Sequence, residues 1–115
     1  MRTLLAGLGL LWTFTSALAH PELLETTPRD GSSVPSSPSE VRLTFTERFE
    51  PRLSGGEITD VSGRRVNAAR LRVEGSQAII PLREALSPGR YRVNWHVVGA
   101  DTHRVQGTIA FEVKP

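Results

Sequence analysis

The chain contains no cysteine. It can form no disulfide, and it cannot build a zinc finger, an iron–sulfur cluster or a Cys-based blue-copper centre. Its single methionine is Met1, so no internal thioether is available to a soft ion such as Cu(I). Aromatic residues make up only 6% of the chain, which leaves little flat surface for stacking on a polysaccharide. Apolar residues run together only near the start, from Leu4 to Phe14. That stretch is too short to span a bilayer, and no second one follows. Neither sign of charge dominates. Of 14 basic residues one is Arg2, and the remainder face 12 acidic residues. The arginines are dispersed, with only Arg64-Arg65 adjacent, so neither a nucleic-acid footprint nor a membrane-surface footprint is expected. There is no Gly-rich phosphate loop, no Ser/His/Asp set and no HExxH, and nucleotide and hydrolase chemistry lose their usual signatures.

The start of the chain has the pattern of a secretory signal. Arg2 supplies a positive n-region, Leu4 to Phe14 an apolar h-region, and Ala17-Leu18-Ala19 a small-x-small cleavage triplet. Residues 1–19 are therefore read as a cleaved signal peptide and 20–115 as one exported domain, with no membrane insertion after cleavage and a periplasmic location. The remaining 96 of 115 residues suffice for a single modest core. Without disulfides, that core alone must hold the fold.

Beyond the signal, short alternating segments are divided by turn residues. Val41, Leu43 and Phe45 alternate with Arg42, Thr44 and Thr46. Tyr91, Val93, Trp95 and Val97 alternate with Arg92, Asn94 and His96, and Ile109, Phe111 and Val113 share one face of a final strand. Glu22 to Thr26, Glu57 to Val61, Leu71 to Val73 and Ala78 to Leu82 read as further strands. Ser32 to Ser39, rich in Ser and Pro, reads as loop, and Gly55-Gly56 reads as a break. The expected fold is all-β, an immunoglobulin-like Greek-key β-sandwich or barrel of about seven strands.

Three histidines carry the chemistry. Cleavage after Ala19 would make His20 the N-terminus, with a free α-amine beside its imidazole; together they can close a chelate ring on a metal. Pro21 has no N–H, so copper cannot bind there by deprotonating the next amide. Asp101-Thr102-His103 lies between the two strongest strands. In an extended segment, i and i+2 side chains point the same way, so Asp101 and His103 are expected to face one ion. With His20 they offer three nitrogens and one carboxylate oxygen, a set suited to tetragonal Cu(II). Taken singly, a chain terminus is usually solvated and Asp-x-His is usually a polar loop; the pairing of the two gives the reading its strength. His96 sits on the polar strand face and reads as a surface histidine. Tyr91 and Trp95 read as core.

These residues lie in a longer pattern that resembles the CopC family of periplasmic copper-resistance proteins. The pattern comprises His20-Pro21-Glu22-Leu23, Pro28 and Pro38 around a polar loop, Val41-Arg42-Leu43-Thr44-Phe45, the run from Leu86 to Trp95, Gly99 to Gly107, and Phe111-Glu112-Val113. The resemblance implies a small Greek-key barrel or sandwich. It also implies one Cu(II) per monomer, held by the amine and imidazole of His20, the Asp101 carboxylate and the His103 imidazole. Some members carry a Met-rich loop for Cu(I), whereas Phe49 to Val73 here has no Met, which implies a Cu(II)-only member. Some members are fused to, or work with, a CopD-type inner-membrane copper protein, so such a protein is an expected partner of an otherwise monomeric chain.

The expectation is a non-enzymatic Cu(II)-binding protein for sequestration, delivery or resistance. Two alternatives stand beside it. One is a copper monooxygenase-like enzyme built on an N-terminal His, against which Asp101 counts because it would occupy a position O2 needs. The other is a metal-free exported immunoglobulin-like module.

Overall fold

The computed structural model describes Gly7, Gly9, residues 20–68 and residues 70–115. Apart from those two glycines, the expected signal segment 1–19 lies outside the described residues. The described residues form eight strands and one 3₁₀ turn: β1 Leu23–Thr27, β2 Ser32–Val34, β3 Glu40–Phe45, the turn Pro51–Leu53, β4 Gly55–Thr59, β5 Arg72–Glu74, β6 Gln77–Pro81, β7 Gly89–Val98 and β8 Arg104–Val113. They make two four-stranded sheets, in the orders β1-β3-β6-β5 and β2-β8-β7-β4. Only the β5–β6 and β7–β8 hairpins keep consecutive strands in one sheet; every other connection crosses the sandwich. This is the expected all-β sandwich, with eight strands rather than seven.

The extra strand is β2. Ser32 to Val34 reads as loop in the sequence but pairs in parallel with Phe111 to Val113. The backbone around it is tied to β8 as well: Gly31 N–H donates to Ala110 O at 2.7 Å, Ala110 N–H to Asp30 Oδ1 at 2.9 Å and Lys114 N–H to Val34 O at 2.9 Å. Such pairing depends on a segment almost eighty positions away, so local composition could not reveal it.

The core follows the alternation. In β3, Val41, Leu43 and Phe45 are buried while Arg42 and Thr44 are only half-buried; in β7, Tyr91, Val93, Trp95 and Val97 point inward. Phe45 sits edge-on to both Phe49 and Trp95, with ring centroids 5.3 and 5.2 Å away. Tyr91 stacks on Phe111 and its hydroxyl donates to Ser87 O, so the ring fills the core while its polar end stays satisfied.

Gly55 and Gly56 correct a second expectation. They do not break β4. They begin it, paired with His96 and Trp95 of β7. A Cβ on Gly55 would stand 2.9 Å from His96 Cε1, and one on Gly56 would collide with Ile80 Cδ1. Neighbouring side chains occupy the space a Cβ would take, so a substitution at either position must displace them.

Asn67 escaped the sequence reading altogether. It is 1% exposed. Its Oδ1 accepts from Ile58 N–H at 2.9 Å, and its Nδ2 donates to Gly56 O and Ala68 O at 3.1 and 2.9 Å. The side chain thus fastens the β4–β5 connection to β4. Asn67→Ala would leave the buried Ile58 N–H and two half-buried carbonyls without this partner and should destabilise the fold by about 3 kcal/mol. Urea unfolding would show this as a lower midpoint at unchanged slope, and a loss below about 1 kcal/mol would contradict the role.

Candidate metal centre

His20 immediately precedes β1, and its position is set by the residues that follow. Pro21 is fully buried. Glu22 N–H donates to Thr46 Oγ1 at 2.9 Å, and Thr46 N–H returns a bond to Glu22 O at 2.8 Å. The Pro21 ring lies against Gly99 so closely that a Cβ on Gly99 would be 2.6 Å from Pro21 Cδ. The segment bearing His20 is therefore seated on the β7–β8 turn.

That turn delivers the other two side chains, though not by strand alternation. Gly99 N–H donates to His103 O at 3.3 Å and Thr102 N–H to Gly99 O at 3.0 Å, closing the hairpin. Asp101 Oδ1 accepts from His103 N–H at 3.1 Å. Thr102 adopts φ +67°, a left-handed conformation that a β-branched residue reaches only at a cost of about 1–3 kcal/mol. Asp101 and His103 do face one point, as expected, but a side-chain-capped tight turn turns them there.

The three groups converge. Asp101 Oδ2 lies 2.5 Å from His20 Nδ1 and 3.2 Å from His103 Nδ1. The two imidazole centroids are 5.0 Å apart. One ligand atom from each of His20, Asp101 and His103 lies within 4.8 Å of the others, and this is the one such cluster of metal-ligating groups among the described residues. The Asp101 side chain is 10% exposed, whereas those of His20 and His103 are 53% and 71% exposed, so the carboxylate lies beneath two accessible imidazoles. Burial works to raise the Asp101 pKa, but the His103 N–H bond and the charges of His20 and His103 outweigh it and hold the carboxyl below its ordinary value. A carboxylate oxygen between two imidazoles is a fit donor set for a borderline divalent ion.

His96 is not part of this cluster. Nor is it the freely exposed histidine its strand face implied. It is half-buried, packed over Gly55, and burial first and the Arg104 charge second lower its pKa.

The seating of Pro21 on Gly99 is the feature that residue patterns could not show. Gly99→Val should displace the N-terminal segment and weaken metal binding at least about tenfold, the range seen when groups that orient ligands are lost. The strand core should survive, as read by circular dichroism. Undiminished binding would show that the Pro21–Gly99 contact does not position His20.

Fold and cluster together define a small β-sandwich whose one end gathers two imidazoles and a carboxylate. Residues 23–114 match the family model of the CopC domain, and the chain belongs to the CopC family. It is 38% identical over 107 residues to copper resistance protein C of Xanthomonas campestris pv. juglandis, covering 86% of this chain and 84% of that one. Among solved structures it resembles PcoC, a methionine-rich copper resistance protein from Escherichia coli, with a TM-score of 0.74, 35% identity, and coverage of 84% of this chain and 100% of that one. It also resembles CopC from Methylosinus trichosporium OB3b, with a TM-score of 0.77, 29% identity, and coverage of 84% and 95%. The chain therefore has a copper-related function and is not an enzyme. The monooxygenase and metal-free alternatives both give way to this family membership.

Proposed function

We propose that the chain is a periplasmic Cu(II)-binding protein that sequesters or delivers one ion per monomer after residues 1–19 are removed. The α-amine and imidazole of His20, the Asp101 carboxylate and the His103 imidazole would hold the ion. The observation that carries this reading is the approach of His20 Nδ1 and His103 Nδ1 to the same carboxylate oxygen, Asp101 Oδ2. A metal ion seated among these atoms needs its nitrogen donors deprotonated. Binding should therefore release protons and weaken in acid. Against the effect of burial, the Asp101 carboxyl is held below its ordinary value by the His103 N–H bond and the neighbouring imidazoles, which favours its charged, metal-binding form. The Asp101 Oδ1 bond to His103 N–H orients the carboxylate so that Oδ2 faces the nitrogens. A CopD-type inner-membrane copper protein is the partner this reading carries, with the chain itself a monomer. An equilibrium Cu(II) titration of the processed protein against a competing chelator tests it: one tight equivalent is expected, and no saturable binding would overturn it.

The same donor set implies selectivity for the oxidised ion. The processed chain would contain neither Cys nor Met, and soft sulfur ligands select Cu(I). Reducing the loaded protein with ascorbate beside a modest Cu(I) chelator should strip the metal, while the Cu(II) form resists a comparable Cu(II) competitor. Retention of Cu(I) through that competition would contradict the ligand set.

A further inference from the structure

The outer face of the β4–β7–β8 sheet bears a groove of ≈ 1120 Å³ that the copper reading does not use. Register sets its floor: Gly55, His96 and Gln106 form one row across three strands, and Glu57, Asn94 and Thr108 the next. Gly55 keeps the floor low, because any side chain there would meet the His96 ring. Around the floor stand Arg52 of the 3₁₀ turn, Arg70 of the β4–β5 connection and Arg104 at the start of β8. Among the described lining residues Glu57 is the one acidic group.

The arginine–carboxylate ion pairs among the described residues lie away from the groove, including Arg90 of β7 with Glu112 of β8. On the opposite sheet Arg42 and Arg72 are matched with Glu40 and Glu74. Arg52, Arg70 and Arg104 make no ion pair or side-chain hydrogen bond with any described residue. Arg29, Arg48, Arg83 and Arg92 also make none, so it is the grouping of three guanidinium groups around a floor with one acidic residue that sets the groove apart. It acts on the His96 imidazole too, where the Arg104 charge adds to burial in lowering its pKa.

We infer that this groove docks a carboxylate-rich segment of a protein partner. Guanidinium forks pair with carboxylates bidentately, and unmatched arginines at a rim steer an oppositely charged surface. The floor is three strands wide, about 10 Å, enough for an extended segment to lie across it beside neutral side chains such as Asn94 and Gln106. A second copy of this chain is a poor occupant, because no two acidic residues are adjacent anywhere in its sequence. Arg104 directly follows His103, so a bound segment would lie next to the metal cluster. The use of such docking in copper transfer rests on the copper reading; the binding itself does not.

The test uses the protein from residue 20 onward without copper, at low ionic strength, titrated with a short oligoglutamate peptide and followed by amide NMR shifts. Shifts should concentrate on Gly55, Gly56, His96 and Gln106. Arg52→Glu with Arg104→Glu should weaken binding about tenfold, whereas Arg72→Glu with Arg90→Glu, an equal change in net charge away from the groove, should weaken it about twofold. The milder Arg52→Gln with Arg104→Gln guards against misfolding and should still weaken binding more than the control pair. Equal weakening by both charge reversals, or shifts scattered outside the groove, would overturn the proposal. So would an oligonucleotide binding as tightly as the peptide, or citrate competing at equal concentration. Since no copper is present, failure here leaves the copper titration intact, and failure of the copper titration leaves this result intact.

Discussion

One residue added ahead of His20 should lower Cu(II) affinity about a hundredfold, equivalent to ~2.7 kcal/mol, while the fold is unchanged. The extension converts the α-amine into an amide. It removes one nitrogen and with it the chelate ring that the amine closes with the imidazole. No neighbouring amide can substitute, because Pro21 has no N–H. The fold should be indifferent, since the segment is anchored by Pro21 against Gly99 and by the Glu22–Thr46 bonds, none of which involves the amine. Competition titrations of processed and extended proteins, with thermal melts as control, measure both parts. Equal affinity would refute a role for the free terminus.

His103→Ala should cost nearly as much, about a hundredfold, and Asp101→Ala less, about tenfold. The imidazole is the stronger donor to Cu(II). The carboxylate contributes charge and, through its bond to His103 N–H, the orientation of the turn. His96→Ala should change affinity by less than about threefold, as expected of a residue outside the metal shell. A His96 variant as damaged as the His103 variant would show that the wrong histidine pair had been assigned.

The parts of this structure that were legible in the sequence are those with local causes. The alternation of Val41 to Phe45 and of Tyr91 to Val98 marks half-buried strands, and both fall within a residue or two of their observed limits. The candidate ligands were legible because residue type and position advertise them: an Asp-x-His between strong strands, and a His behind a cleavage triplet. What was not legible has its cause elsewhere in the chain. Gly55 and Gly56 read as a break because glycine signals nothing about the His96 and Ile80 side chains that need the space. β2 read as loop because its partner is β8. Asn67 reads as an ordinary polar residue until three backbone groups are found bonded to its buried side chain. Asp101 and His103 face the same way for a reason other than the one strand periodicity supplied, since Thr102 at φ +67° and the Asp101–His103 bond turn them together.

The most direct measurement is electron paramagnetic resonance of the processed protein loaded with a single equivalent of Cu(II), in parallel samples with natural-abundance and ¹⁵N-labelled histidine. If the His20 amine and imidazole and the His103 imidazole are the nitrogen donors, all of them belong to histidine. The spectrum should be tetragonal, with nitrogen splittings that change wholly to the ¹⁵N pattern on labelling. Splittings that persist from unlabelled nitrogen, or a signal with no nitrogen coupling, would contradict the assignment.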